Sequence, residues 1–160
     1  MPNSELPMLP YRSEFALETV KMWRASFQRA LQIEEHNRFD DLVEHLNYFA
    51  SLKPELSTVV LDPANSRVIG LMTLSGSQLI NLFVHVDYQG LGVGRRLVNE
   101  AKVRSPEGLS LHTFANNPGA QAFYLSQGFK EIERGFASFE GNPWAKTVND
   151  LADIKYQWQG

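Results

Sequence analysis

A glycine-rich segment joins two stretches of opposite pattern, and it constrains this chain most strongly. Gln89-Gly90-Leu91-Gly92-Val93-Gly94-Arg95-Arg96 follows an apolar run over residues 79–86 and opens an amphipathic run over residues 91–103. The first pattern predicts a buried strand and the second predicts a helix. Glycines at such a junction leave the first N–H groups of the helix uncovered, at the positive end of its dipole. The junction therefore predicts a site for a phosphate or pyrophosphate.

Length and composition limit the number of domains, the partners and the chemistry that the chain can have. A chain of 160 residues with 43% hydrophobic and 21% charged residues suits one domain over residues 1–160 with its own core. A net charge of −3 gives no basic surface, so we do not expect nucleic acid as a partner. Cysteine is absent, which excludes disulfides and a cysteine nucleophile. With no signal-peptide pattern and no apolar stretch near ~20 residues, we expect a cytoplasmic protein without membrane association.

Periodicity predicts the first half of the fold. Apolar residues at helical spacing indicate a helix from Ser13 to Leu31, and a second helix, capped by Asp40 or Asp41, that ends before Pro54. Three β-rich runs follow, over residues 56–61, 67–74 and 78–86. Short loops join these runs, so we expect an antiparallel meander.

The second half adds a crossover and a short helix. A strand over residues 109–115 follows the helix after the glycine loop, which predicts one right-handed parallel crossover. Asn117 is a good N-cap, and Gly128 is placed to end the helix that begins at Pro118. Strands over residues 129–139 and 153–158 complete an α+β class. We expect a mixed, largely antiparallel sheet of about six to seven strands with about four helices.

The glycine-rich segment does not match either of two common nucleotide-binding motifs. In a dinucleotide fingerprint a third glycine would stand at Leu97, and an acidic ribose ligand would stand near residues 111–115. A P-loop would need Gly-Lys followed by Ser or Thr, and the segment has none.

Two motifs carry a family resemblance. Leu82-Phe83-Val84 precedes Gln89-x-x-Gly92-x-Gly94, and residues 111–116 lead into Asn117-x-x-Ala120-x-x-Phe123-Tyr124 and then Gly128-Phe129. Together they resemble the GNAT superfamily of N-acetyltransferases, in its small single-domain bacterial type. The resemblance implies a three-layer GNAT-like fold. It also implies acetyl transfer from acetyl-CoA to a primary amine, of a small molecule or a protein, by direct attack in a ternary complex.

The same resemblance implies the site residues. Backbone groups of Leu82, Phe83, Val84 and Val86 would lie along the pantetheine arm and the thioester. The pyrophosphate would be held by Gln89, Gly90, Leu91, Gly92, Val93, Gly94 and Arg95. Asn117 would contact the CoA arm, although it also suits a purely structural cap. The Val84 N–H would stabilise charge on the thioester oxygen, and Tyr124 would protonate the departing thiolate.

The group that takes the amine proton is less clearly marked. Many relatives place a carboxylate on the strand before the glycine loop, where this chain offers only Gln78, Asn81 and His85. His112 is our candidate, because an imidazole suits proton transfer near neutral pH, although it also suits a hydrogen-bonded sheet position. A second set is Glu34, Glu35 and His36. The missing carboxylate keeps an alternative open, a catalytically weak acyl-CoA-binding sensor or scaffold.

Three further expectations concern histidines and aromatic residues. His36, His45 and His85 show no ligand spacing, so we expect no metal site. Trp23 and Phe27 form a stripe typical of core packing. Phe136, Phe139 and Trp144 would be exposed and would suit a homodimer contact.

Overall fold

The computed structural model describes residues 6–31, 39–142 and 144–160, in which the chain forms a seven-stranded sheet and four α-helices. The elements in chain order are β1 (Met8–Pro10), α1 (Ala16–Leu31), α2 (Phe39–Ala50), β2 (Ser57–Asp62), β3 (Arg67–Ser75), β4 (Gln78–Val84), α3 (Val93–Arg104), β5 (Leu109–Phe114), α4 (Pro118–Ser126), β6 (Lys130–Phe136) and β7 (Ala152–Trp158). The expected α+β class is confirmed. The candidate set of Glu34, Glu35 and His36 lies outside the described residues.

The strands lie in the order β1-β2-β3-β4-β5-β7-β6. All neighbours are antiparallel except β4 and β5, which are parallel. The predicted meander of β2, β3 and β4 and the single parallel crossover through α3 are therefore confirmed. Strand β1 was not predicted, because it has only three residues, ends at Pro10 and pairs with β2 alone. A short edge strand with proline carries little periodic signal.

Helices cover both faces of the sheet, which makes the predicted three layers. On one face α1 and α2 bury a core that includes Val20, Phe49 and Leu71. On the other face α3 and α4 cover a larger core that includes Leu97 and Tyr124. Residues Val68 to Leu74 of β3 are all buried, as expected of a central strand with helices on both sides.

Several element ends differ from the sequence prediction, most of them by one residue. Asp40 and Asp41 lie inside α2, which already includes Phe39, so neither is its N-cap. β4 ends at Val84, two residues early, because residues 86–88 turn into a single 3₁₀ helix. β6 ends at Phe136 rather than at residue 139, because a turn begins at Ser138, whose Oγ accepts from the Glu140 N–H at 3.1 Å.

Candidate active site

The sheet opens between its two parallel strands. β4 and β5 pair at one position, Gln78 opposite Ser110, where the Ser110 N–H also donates to the Ser77 carbonyl at 2.9 Å. Beyond this position the ladder between them stops in the described chain, while each strand stays paired with its outer neighbour. The end of β4 therefore presents backbone groups to a gap in the middle of the sheet.

Val84 directs its backbone groups into this gap. The next residue, His85, donates its N–H to Ile69 of β3 at 2.8 Å. Because successive residues of a strand direct their backbone groups to opposite sides, the N–H and C=O of Val84 point away from β3. The carbonyl accepts from Ser26 Oγ at 2.6 Å and from Gln89 Nε2 at 3.1 Å. The Val84 N–H therefore faces the gap, on the side away from β3.

The glycine loop has the conformation that its sequence predicts. Gly90 and Gly92 have φ angles of 76° and 88°, in the left-handed region that glycine occupies at little cost. The first bond inside α3 runs from the Arg96 N–H to the Gly92 carbonyl at 3.0 Å. The N–H groups of residues 93–95 consequently have no partner within the helix. Val93 is buried in the core, whereas the Leu91 and Arg95 side chains are exposed.

The two motifs meet at Gly94. A Cβ built on this glycine would lie 3.3 Å from the Phe123 ring and 3.6 Å from Val84 Cγ2. Gly94 therefore allows the start of α3, the end of β4 and the helix α4 to approach closely. Even an alanine here would push the Phe123 ring by a few tenths of an ångström.

Helix α4 begins and ends as expected. Asn117 Oδ1 accepts from the Ala120 N–H at 3.2 Å, which confirms the N-cap. Gly128 has a φ of 90°, and the Phe129 N–H donates to the Tyr124 carbonyl at 3.0 Å. The Gln121 side chain ties the helix to the end of β5, because its Nε2 donates to the Phe114 carbonyl at 3.3 Å and to the Ala115 carbonyl at 2.7 Å.

Tyr124 is buried among aromatic rings. It packs edge-to-face on Phe123 and Phe129 and tilts against Tyr156. Its hydroxyl makes no hydrogen bond to the described residues. Burial raises the pKa of the phenol above its usual value, so the hydroxyl keeps its proton at neutral pH. Such a hydroxyl can donate a hydrogen bond to a leaving thiolate, although the raised pKa makes the phenol a weaker acid.

His112 lies on the α1 face of β5, and its side chain is half exposed. Its Nδ1 is 3.7 Å from Asp153 Oδ2, and the Asp153 side chain is only 18% exposed. Asp153 itself stands opposite Phe114 in the β5–β7 ladder. This carboxylate could not be predicted from the sequence, because it lies on the last strand and only the sheet order brings it to His112.

Several other candidates have partners that alter their predicted roles. Asn81 donates from Nδ2 to the Tyr48 hydroxyl at 3.0 Å and to Thr73 Oγ1 at 3.2 Å. Val86 was expected to continue the strand beside the pantetheine arm, but it lies in the 3₁₀ turn, and its carbonyl accepts from Arg29 at 3.4 Å. The Gln89 side chain contacts the strand end through Val84.

The aromatic residues at the end of β6 and in the loop before β7 divide into two groups. Phe136 and Phe139 are exposed, as predicted. Trp144 is half buried, which corrects the expectation of an exposed ring, because it packs against Phe27 and Phe114 with ring centroids 5.6 and 5.1 Å away. A homodimer contact stays a prediction.

Comparison with known proteins agrees with this geometry. The acetyltransferase (GNAT) domain matches residues 55–131, from the end of the α2–β2 link to β6. The peptidyl-lysine N-acetyltransferase YjaB of Escherichia coli is 32% identical over 136 residues, which cover 83% of this chain and 88% of YjaB. The chain belongs to the GNAT family of acetyltransferases.

Solved structures give the same fold. The solution structure of apo YjaB from E. coli superposes with a TM-score of 0.72 at 25% identity, over 97% of this chain and 98% of YjaB. The PaiA N-acetyltransferase of Thermoplasma acidophilum, solved with coenzyme A, has a TM-score of 0.66 at 13% identity, over 98% of this chain and 99% of that one. This chain is thus an acetyl-CoA-dependent N-acetyltransferase rather than a binding module. Among the described residues, no helix has the length and apolar character needed to cross a membrane.

Proposed function

We propose that this chain acetylates the side-chain amine of lysine in a peptide or protein, by direct attack within a ternary complex. The name of the E. coli relative, a peptidyl-lysine N-acetyltransferase, supports this acceptor class. The observation that carries the chemistry is the gap beside Val84, where an outward-facing N–H lies next to the uncovered start of α3.

The residues around the gap fit acetyl-CoA. Backbone N–H groups from Gly90 to Arg95 would bind the pyrophosphate, since glycines at positions 90 and 92 leave open space around the backbone. Backbone groups of Leu82, Phe83 and Val84 would lie along the pantetheine arm, and the free amide of Asn117 would contact the same arm. Acetyl-CoA supplies the activated acetyl group as a thioester.

The amine must lose a proton before it attacks. A lysine amine with a pKa of about 10.4 pays roughly 4 to 5 kcal/mol to reach its neutral form at pH 7. His112 would accept this proton, directly or through water, and Asp153 would stabilise the imidazolium that results. The Val84 N–H would then stabilise the negative charge on the carbonyl oxygen, and Tyr124 would donate its proton to the thiolate.

Release of the CoA thiol tests the proposal. The enzyme is supplied with acetyl-CoA and with lysine peptides, polyamines, aminoglycosides or free amino acids, and we expect release with lysine peptides. Tyr124→Phe should slow release without abolishing it. Tyr156→Phe is the matched control, because Tyr156 is also a buried ring of the same cluster but is assigned no catalytic role. Thermal stabilisation by CoA without release on any amine would contradict the proposed reaction, and no stabilisation at all would contradict the donor site.

We also propose that residues 1–160 form a single acetyltransferase domain. The YjaB structure supports it, because its alignment covers 97% of this chain. A cytoplasmic location stays a prediction from the sequence.

A further inference from the structure

Three aromatic rings form a cluster outside both hydrophobic cores. Phe27, Phe114 and Trp144 contact one another with centroid distances of 5.1, 5.6 and 6.1 Å. Neither core cluster of the described chain includes any of them, and all three are only half buried. The planes of each pair meet at 73° to 85°. The rings therefore form three walls of a corner, which we call the aromatic corner.

The aromatic corner borders the gap in the sheet. Phe27 follows Ser26, the residue that donates to the Val84 carbonyl, and Phe114 is the last residue of β5. Trp23 extends the aromatic surface toward the other strand, because it stacks on Phe27 at 5.3 Å and meets Phe83 at 6.3 Å. Aromatic surface thus runs from β4 to β5 on the α1 side. The opposite face of the gap carries α3 and α4, where the donor site is proposed.

Trp144 is held in the aromatic corner by its own loop. Its indole Nε1 donates to Asn142 Oδ1 at 3.3 Å, and Asn142 Nδ2 donates to the Ser138 carbonyl at 2.8 Å. Further along, Asp150 accepts from the N–H groups of Lys146 and Thr147 at 2.8 and 2.9 Å. These hydrogen bonds within the loop hold the Trp144 ring against Phe27 and Phe114.

Charge beside the aromatic corner favours a cation. Asp153 stands opposite Phe114 in the ladder, and its side chain is mostly buried. Lys155 is the cation on the same face of β7, where it stands opposite His112 rather than opposite Phe114. Aromatic faces attract ammonium groups, and a nearby carboxylate adds to the attraction. An apolar ligand would gain nothing from that carboxylate.

We propose that Phe27, Phe114 and Trp144 select the acceptor by binding the ammonium head and the alkyl stem of a lysine side chain. The inference rests on the proposed function and adds a recognition element to it. The aromatic corner receives the protonated amine, and His112, two residues before Phe114 on β5, lies on the same face to take the proton. Selection of lysine then depends on the faces of these rings. Strand β4, where many relatives place a carboxylate, has none here.

The test uses a probe that cannot react. Nα-acetyl-Nε,Nε,Nε-trimethyl-lysine amide keeps the charge, and its isostere with a tert-butyl carbon in place of the ammonium has the same shape without charge. Each is titrated into the full chain with CoA present, and the indole N–H signal of Trp144 is followed by NMR and assigned with Trp144→Phe. We expect the cation to bind between about 2-fold and 30-fold tighter than the neutral isostere.

Variants of Trp144 distinguish the effect of an aromatic face from that of apolar volume. Trp144→Leu should weaken binding of the cation and raise the KM for a lysine peptide, while Trp144→Phe should restore most of both. Phe139→Leu is the matched control, because Phe139 is an aromatic residue of the same loop that is 50% exposed and lies outside the aromatic corner. It should change neither value.

Two outcomes would overturn the inference without touching the proposed function. One is equal binding of the two probes, and the other is thiol release with lysine peptides at an unchanged KM in Trp144→Leu. The converse result, selective binding of the cation without thiol release on any amine, would reject the proposed reaction and keep the aromatic corner.

Discussion

Ser26 of α1 donates a hydrogen bond of 2.6 Å from its Oγ to the backbone carbonyl of Val84, the last residue of β4. This carbonyl faces the side on which β5 has diverged, so a side chain of α1 takes the place of the missing strand neighbour. The contact links the helix that carries Phe27 to the strand end that carries the proposed oxyanion donor. Ser26 is one of two partners of this half-buried carbonyl, because Gln89 Nε2 also donates to it at 3.1 Å.

Ser26→Ala should therefore affect catalysis as well as stability. Loss of this bond leaves Gln89 as the partner of the Val84 carbonyl, and we expect a stability loss of about 0.5–1.5 kcal/mol. The strand end should also lose its fixed orientation, which should lower kcat several-fold with a smaller change in KM. Ser51→Ala is the control, because Ser51 Oγ makes a similar bond to the Tyr48 carbonyl at 2.7 Å on an exposed helix end. Equal kcat values in the two variants would rule out the positioning role.

Gly92→Ala should weaken binding of CoA. Both Gly92, with a φ of 88°, and Gly76, with a φ of 61°, have open space where a Cβ would stand. An alanine at either place is therefore destabilised only by its left-handed backbone conformation, which costs roughly 1–2 kcal/mol. Both variants should lose similar stability in urea titration, whereas only Gly92→Ala should raise the Kd for CoA in calorimetry. A weaker CoA complex in Gly76→Ala would point to a global effect instead.

Local signals account for the parts that the sequence predicted well. The glycine loop, the Asn117 cap and the Gly128 end follow from the backbone preferences of the residues themselves. Such preferences act within a few residues, so one sequence is enough to read them. The strand pattern of the meander is equally local.

The remaining parts depend on contacts between distant segments. The Ser26–Val84 bond, the approach of Asp153 to His112 and the packing of Trp144 on Phe27 each join segments that only the sheet order brings together. Helical spacing predicted that Phe27 lies on the apolar face of α1. It could not distinguish a position in the core from one beside the gap in the sheet. The early end of β4 was hidden as well, because the apolar run continues through Val86 into the 3₁₀ turn.

Tyr124→Phe should change the response of stability to alkaline pH. Burial raises the pKa of Tyr124 in the folded chain, so the folded state holds this proton at pH values where the unfolded state releases it. The contribution of this proton to the free energy of unfolding is complete below about pH 10, the pKa of an unfolded tyrosine. Above that pH it falls by about 1.4 kcal/mol per pH unit. The pKa of Tyr11 and that of Tyr156 are also raised by burial, so the loss in the wild type has several sources. Urea unfolding between pH 9 and 11 should show a shallower decline in the variant, and identical slopes would contradict the burial of the phenol.

His112→Gln should reduce turnover and flatten the acid side of the pH–rate profile. Glutamine keeps a polar side chain of similar length but accepts no proton near neutral pH. Asp153→Asn should also reduce turnover, because the imidazolium loses the carboxylate that lies 3.7 Å from Nδ1. The profile is measured as kcat/KM for a lysine peptide from pH 5.5 to pH 9. An unchanged profile in His112→Gln would dismiss this residue and leave water or the segment over residues 34–36 as the proton acceptor.

Substitution of Asn117 can separate its cap from its proposed contact with CoA. Oδ1 accepts from the Ala120 N–H, while the amide Nδ2 is left to donate to the CoA arm. Serine caps a helix about as well as asparagine but has no amide group, so Asn117→Ser should keep stability within a few tenths of a kcal/mol. Its Kd for CoA should still rise, by about 2-fold to 12-fold for one lost hydrogen bond. Asn117→Ala should show the same rise in Kd and lose a further 0.5–2 kcal/mol, roughly, of stability with the cap. If CoA binds Asn117→Ser as tightly as the wild type, the residue serves the helix alone, and the backbone groups around the glycine loop and β4 are left as the donor site.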